Sequence, residues 1–297
     1  MKMREIAIIS GKGGTGKTSI TASFAVLSNN CVVADCDVDA PNLHIILNPE
    51  EIEKKPFFGD KKAKILNEYC TLCRTCLNLC AFGAIEEVIK EGKLQLFIDP
   101  FLCEGCGVCF RFCPLSAIDF KEEQSAYSIV SKTRCGFIIN AKMESGSGNS
   151  GKLVNILKEK ARELAKEKGF NLVLVDGPPG IGCPVISTVS GSSEVIIVTE
   201  PTLSALNDLK RILELLSKFK IKASVIINKF DLNLIMSNQI KDFCQRYGVI
   251  ILGEVSYDPD IPLLQSEKLT PVEAGSKSAK EIKTIFEKFF TRITKEV

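Results

Sequence analysis

The sequence predicts an α/β fold: a mostly parallel, doubly wound sheet interrupted by a small α+β insertion. Three observations carry that prediction. A short apolar run, Ile6–Ser10, leads into the glycine-rich Gly11-Lys-Gly-Gly-Thr-Gly-Lys-Thr18 and then into a helix-compatible stretch from Lys17 to Ser28. Two more apolar runs, Cys31–Asp35 and Leu172–Asp176, end in acids, as buried parallel strands do when their tips carry chemistry. Between them, from Pro56 to about Lys121, the α/β pattern stops and eight cysteines fall between Cys70 and Cys113.

The first stretch has the spacing Gly-x-x-x-x-Gly-Lys-Ser/Thr in the strand–loop–helix context that a P-loop requires. Its glycines let backbone N–H groups turn inward around a phosphate, and the helix N-terminus adds its positive dipole end. Gly11, Gly13, Gly14, Thr15 and Gly16 form the cradle. Lys17 is placed to neutralise the β- and γ-phosphates and Thr18 to hold Mg²⁺, so ATP with Mg²⁺ is the expected ligand. Lys12 adds a second lysine at the start of the loop. Residues 12–18, Lys-Gly-Gly-Thr-Gly-Lys-Thr, resemble the deviant loop of the MinD/ParA/Mrp group of P-loop ATPases, to which the nitrogenase iron protein is related. The resemblance implies ATP hydrolysis. It also implies that Lys12 reaches across a two-fold axis to the nucleotide of a partner, so that a homodimer forms on ATP binding.

The 297 residues leave room for one large α/β domain and a small second unit. A net charge of +2 offers no footprint for nucleic acid, and no run of 18 apolar residues suggests a membrane span. Met1–Arg4 runs straight into the first strand with no space for a signal peptide, so a cytoplasmic location is expected. In that setting thirteen cysteines point to metal or cluster ligands rather than disulfides.

The segment Asp35-Cys-Asp-Val-Asp-Ala-Pro-Asn42 leaves the second strand beside the loop, where carboxylates can orient Mg²⁺ and its waters. By the same resemblance Asp37 positions the attacking water and Asp35 supports the metal, with Asp39 less defined. The insertion then reads Cys70-x2-Cys73-x2-Cys76-x3-Cys80 and Cys103-x2-Cys106-x2-Cys109-x3-Cys113-Pro114. That doubled run is the bacterial ferredoxin signature, in which the fourth cysteine serves the other cluster. Cys70, Cys73, Cys76 and Cys113 are thus assigned to one [4Fe–4S] cluster, and Cys103, Cys106, Cys109 and Cys80 to a second. Zinc is disfavoured because its sites pair two-cysteine knuckles across a longer gap. Lys90-Glu-Gly-Lys93 suits a hairpin between the halves. The expected domains are 1–56 with 122–297 for the ATPase and 57–121 for the ferredoxin-like insertion.

The sheet pattern resumes with Ala126–Val130 and Gly136–Ile139. Ser145–Gly151 follows as a linker or as a set of amides facing an anion, ahead of a helical run from Lys152 to Lys168. Asp176 is placed as the Walker B acid of the Mg²⁺ shell. Gly177-Pro-Pro-Gly-Ile-Gly182 resembles switch II of the Mrp branch, and Asn228, after a further strand, takes by resemblance the adenine edge. The last helix carries Ile282, Ile285, Phe286, Phe289, Phe290 and Ile293 on one face. That stripe reads mainly as core, with membrane contact as the lesser reading.

The whole chain thus resembles a MinD-type ATPase with an inserted two-cluster ferredoxin domain. The resemblance implies an ATPase that couples nucleotide-driven dimer rearrangement to electron transfer through two clusters, toward an unidentified redox partner. Two other functions stand beside it: an iron–sulfur or metallocofactor assembly factor of the Mrp type, and a MinD-like positioning ATPase.

Overall fold

A computed structural model describes residues 3–144 and 151–295. Most of the Ser145–Gly151 run therefore lies outside the described residues. The chain divides into two compact units, one of Met1–Lys55, Ser128–Lys142 and Asn149–Val297 and the other of Pro56–Tyr127 with Met143–Gly148.

The first unit alternates strand and helix. β1 (Arg4–Ser10), α1 (Lys17–Ser28), β2 (Cys31–Asp35) and α2 (Leu43–Leu47) lead to β3 (Glu50–Ile65), a strand of 16 residues that runs on into the second unit. After the insertion, β6 (Ile118–Thr133) and β7 (Gly136–Met143) return the chain to the sheet. Then come α5 (Gly151–Lys168), β8 (Leu172–Pro179), α6 (Cys183–Val189), β9 (Glu194–Thr199), α7 (Leu203–Lys218), β10 (Ala223–Asn228), α8 (Leu234–Arg246) and β11 (Ile250–Val255). Three helices close the chain: α9 (Ile261–Ser266), α10 (Pro271–Ala274) and α11 (Ala279–Lys295).

The sheet order is β11-β10-β9-β1-β8-β2-β7-β6-β3. β1, β2, β8, β9, β10 and β11 pair in parallel, as does β2 with β7. Such strands are covered on both faces, which is why β1, β2, β8 and β9 read as unbroken apolar runs. Gly136 opens β7 against the Cys31 carbonyl; a Cβ there would lie 2.0 Å from that oxygen, at a φ of +131°. The sequence boundary at Lys121 falls inside β6, and the unit boundary lies at Tyr127 in the same strand.

In the second unit β4 (Ile85–Lys90) and β5 (Lys93–Ile98) form an antiparallel hairpin. Glu91 and Gly92 both take positive φ at its turn, the geometry that matches the twist of the flanking strands. Two short helices, α3 (Thr75–Leu79) and α4 (Val108–Arg111), carry cysteines. Ala63, Ile65, Leu96, Ile98 and Ile118 form the small core around them.

The apolar stripe of α11 is buried: Ile282, Ile285, Phe289 and Ile293 join the main core with Phe24, Ile6 and Leu252. Phe286 meets Phe24 edge-on at 5.3 Å between centroids. The stripe is therefore taken up by packing, and among the described residues no helix is long and apolar enough to cross a membrane. Phe289→Ala should lower unfolding free energy by about 3–5 kcal/mol, the usual cost of emptying a buried phenylalanine site. Denaturant titration reads it, and a loss under about 1 kcal/mol would mean that α11 is not a core element.

Candidate active site

The site forms where β1, β2, β8 and β10 end, the side of a parallel sheet on which ligands gather. Gly14 and Gly16 take φ of +80° and +86°, which side chains with a Cβ rarely adopt. A Cβ on Gly16 would also stand 2.2 Å from Asn228 Nδ2. That nitrogen donates to the Thr15 carbonyl at 2.8 Å. Asn228 was expected to read the adenine edge, yet its amide nitrogen is committed to holding the loop in shape.

β2 and β8 run in register so that Asp35 lies beside Asp176. Lys17 Nζ is 2.8 Å from Asp176 Oδ1 and 3.8 Å from Asp37 Oδ2. Thr18 Oγ1 donates to Asp176 Oδ2 at 3.0 Å and Thr21 Oγ1 to Asp176 Oδ1 at 2.8 Å. Two carboxylates thus flank one ammonium group, and Asp35 stands beside Asp176. Burial, then the charge of Asp176, pushes the Asp35 carboxyl well above the ordinary range. Asp37 is raised to about 6, chiefly by burial, with Lys17 opposing.

Asp35 is fully buried; its Oδ1 accepts from the Asp37 N–H at 3.2 Å, and its Oδ2 has no hydrogen-bond partner among the described residues. The donor set, carboxylate and hydroxyl oxygens around an excess of negative charge, suits a hard cation such as Mg²⁺. Asp35, expected to support the metal or its shell, stands behind the cavity beside Asp176 rather than in its wall. It acts on the site through its bond to the backbone of Asp37.

The cavity has a volume of about 740 Å³ and is walled by the loop, Asp37, Asp39, Asn228, Tyr257 and Gln265. Gly182, Pro184 and Val185, at the start of α6, close another side. The far end of α6 is anchored. Lys158, 1% exposed, donates to the carbonyls of Ser187 (2.9 Å), Thr188 and Ser190 (2.7 Å) and pairs with Glu5 at 3.2 Å.

Lys12 is engaged within its own chain. Its Nζ lies 2.7 Å from Glu200 Oε1 and donates to Thr202 Oγ1 at 3.1 Å and Ser204 Oγ at 3.3 Å. Lys229 takes the other oxygen of Glu200 at 3.1 Å and donates to the Gly14 carbonyl at 2.7 Å. Sequence reasoning missed Glu200, Lys229 and Lys158. A signal for Glu200 existed: Val195–Glu200 is a third apolar run that ends in an acid.

In the second unit Cys70, Cys73, Cys76 and Cys113 line one small cavity, about 20 Å³, with Leu96 and Ile118. Cys80, Cys103, Cys106 and Cys109 line another of about 20 Å³ with Phe82 and Ile98. All eight thiols are free.

The model of the CobQ/CobB/MinD/ParA nucleotide binding domain matches residues 6–272. An uncharacterized protein of Methanocaldococcus jannaschii is 35% identical over 288 residues, covering 96% of this chain and 95% of the relative. The septum site-determining protein MinD of a Synechocystis species is 25% identical over 284 residues, 90% of this chain and 84% of its own. Among solved structures, MinD of Pyrococcus horikoshii complexed with Mg-ADP superposes with a TM-score of 0.58 at 20% identity, covering 97% of this chain and 96% of that one.

These findings overturn the expectation of ATP use coupled to electron transfer through two clusters. The named relatives that span most of the chain are septum site-determining proteins. Among the described residues no three His, Cys, Asp or Glu side chains converge as ligands of one metal ion. The function these comparisons support is that of a MinD/ParA-like ATPase.

The crowded carboxylates predict a pH signature. Asp37 has a folded pKa of about 6 against about 3.9 unfolded, so the folded state holds its proton more tightly. Its ionisation then costs no stability below about pH 4, and the cost grows up to about pH 6 and stays constant above. Asp37→Asn should therefore raise the unfolding midpoint of the nucleotide-free chain at pH 7.5 and lose that advantage by pH 4. Equal midpoints throughout would show that Asp37 is not crowded.

Proposed function

The chain belongs to the CobQ/CobB/MinD/ParA nucleotide-binding family and is a P-loop ATPase; from that premise we propose that it works as an ATP-dependent switch that pairs with a second copy of itself. The observation that carries this reading is the nucleotide face. There the preformed loop and the carboxylate cluster are joined by exposed Ile181, Leu203, Tyr257 and Leu263, on segments that line or adjoin the cavity. Apolar side chains gathered on one face mark a docking surface.

In the mechanism, the loop amides and Lys17 hold the phosphates and stabilise the charge that develops during transfer. Thr18, with Asp176 behind it, would hold Mg²⁺, which would supply positive charge against the phosphates. Asp37, ionised above about pH 6, orients the attacking water. Lys12 serves the nucleotide of the opposite copy, and hydrolysis ends the pairing.

The second unit adds a ferredoxin-like module that would hold two [4Fe–4S] clusters. Support comes from the grouping of thiols: each small cavity is lined by the four cysteines of one crossed set. A cubane spaces its thiolates more widely than a single ion does.

Lys17→Ala should weaken ATP binding roughly 10–100-fold, the worth of a charge-assisted hydrogen bond. Lys12→Ala should bind ATP and stay monomeric by light scattering; a Lys12→Ala chain that dimerises and hydrolyses normally sinks the cross-subunit reading. Chain prepared anaerobically should carry about eight iron and eight sulfide, with Cys106→Ser losing about half. Zinc without sulfide would refute the clusters while leaving the switch intact.

A further inference from the structure

We propose that Glu200 is a positioning residue that stores Lys12 in its own chain until a partner's nucleotide draws it away. The inference rests on the switch reading above. Lys12 belongs to the phosphate loop, yet its ammonium is satisfied by a carboxylate and two hydroxyls supplied by β9 and the start of α7. A lysine with three partners is not free to act on a phosphate.

Glu200 makes this hold adjustable. Its two oxygens divide between Lys12 and Lys229, each at ion-pair distance. Although burial works the other way, hydrogen bonds from both lysines keep its carboxyl below the ordinary range, so the clamp is charged at neutral pH. Lys229 also bonds the Gly14 carbonyl, which ties the clamp to the phosphate cradle. The clamp therefore sets a threshold. Lys12 leaves only for a site that offers more negative charge than one shared carboxylate, and a nucleotide triphosphate with its oxygens exposed at a dimer face is such a site.

Storage is read directly in the full, nucleotide-free chain by the rate of Lys12 acetylation with an N-hydroxysuccinimide ester, followed by peptide mass spectrometry. Glu200→Gln should speed that modification several-fold. Lys229→Met should slow it, because Glu200 then serves Lys12 alone. A general loosening of the fold would speed both variants, so the opposite signs separate the clamp from a structural role. Equal rates in all three chains overturn the proposal. The consequence is read by light scattering with a non-hydrolysable ATP analogue, where Glu200→Gln should dimerise at several-fold lower analogue concentration. An unchanged or higher requirement refutes the threshold. Wild-type chain that stays monomeric at saturating analogue would refute the dimer reading instead, and the acetylation rates would then decide the clamp alone.

Discussion

The nucleotide site is organised by an imbalance of charge. The parallel register of β2 and β8 sets Asp35 against Asp176, and the chain leaving β2 brings Asp37 to the same place. Lys17 is the cation set directly against this group, through Asp176 and Asp37. Burial first, and then the nearby charge of Asp176, pushes the carboxyls of Asp35 and Asp37 above the ordinary range. The strain cannot relax locally, because the acids are fixed by strands whose register the whole core enforces. A divalent cation held by Thr18 would supply positive charge there, and a bound phosphate would give Lys17 a second anion.

The same arrangement explains why the loop is preformed. Asn228 pins Thr15, Lys229 pins Gly14, and Gly16 leaves no room for a side chain against Asn228. Ordering the cradle is therefore a cost met during folding rather than during binding. β10 supplies both pins at its end, so the strand beyond β9 takes part in the phosphate site without touching phosphate.

What the sequence disclosed follows from where each signal is stored. The loop, the acid-tipped strands and the cysteine spacing are local, and each was legible because its chemistry demands residue types at fixed offsets. Glu200, Lys229 and Lys158 act across 188, 215 and about 30 residues, and no spacing rule joins them to their partners. β3 and β6 were under-read for a related reason. Their 16-residue lengths alternate burial imperfectly, and their extent is settled by pairing with each other rather than by pattern. The cysteine runs show a different limit. Their grouping could be read from spacing, but the use to which ATP is put could not, and the relatives redirected that reading.

The proposed switch calls for one segment that moves between anchors that do not. Asp176 is one anchor, held by Lys17, Thr18 and Thr21. The C-terminal end of α6 is the other, where Lys158 collects three carbonyls and Glu5 ties the lysine to β1. Gly151 packs against Ser187 from the start of α5, adding a second brace. Between the anchors run Gly177 to Gly182. A Cβ on Gly177 would stand 2.7 Å from Thr188 and 2.8 Å from Ile9, whereas at Gly180, at a φ of +101°, the space for a side chain is open, although its N–H donates to the Ser10 carbonyl at 2.9 Å. On the proposed switch reading, displacement driven from the phosphate end concentrates beyond the Gly180 tether, at Gly182 and the exposed Ile181. Rigidity at both ends turns a change in phosphate occupancy into movement of one short loop rather than a diffuse relaxation of the sheet.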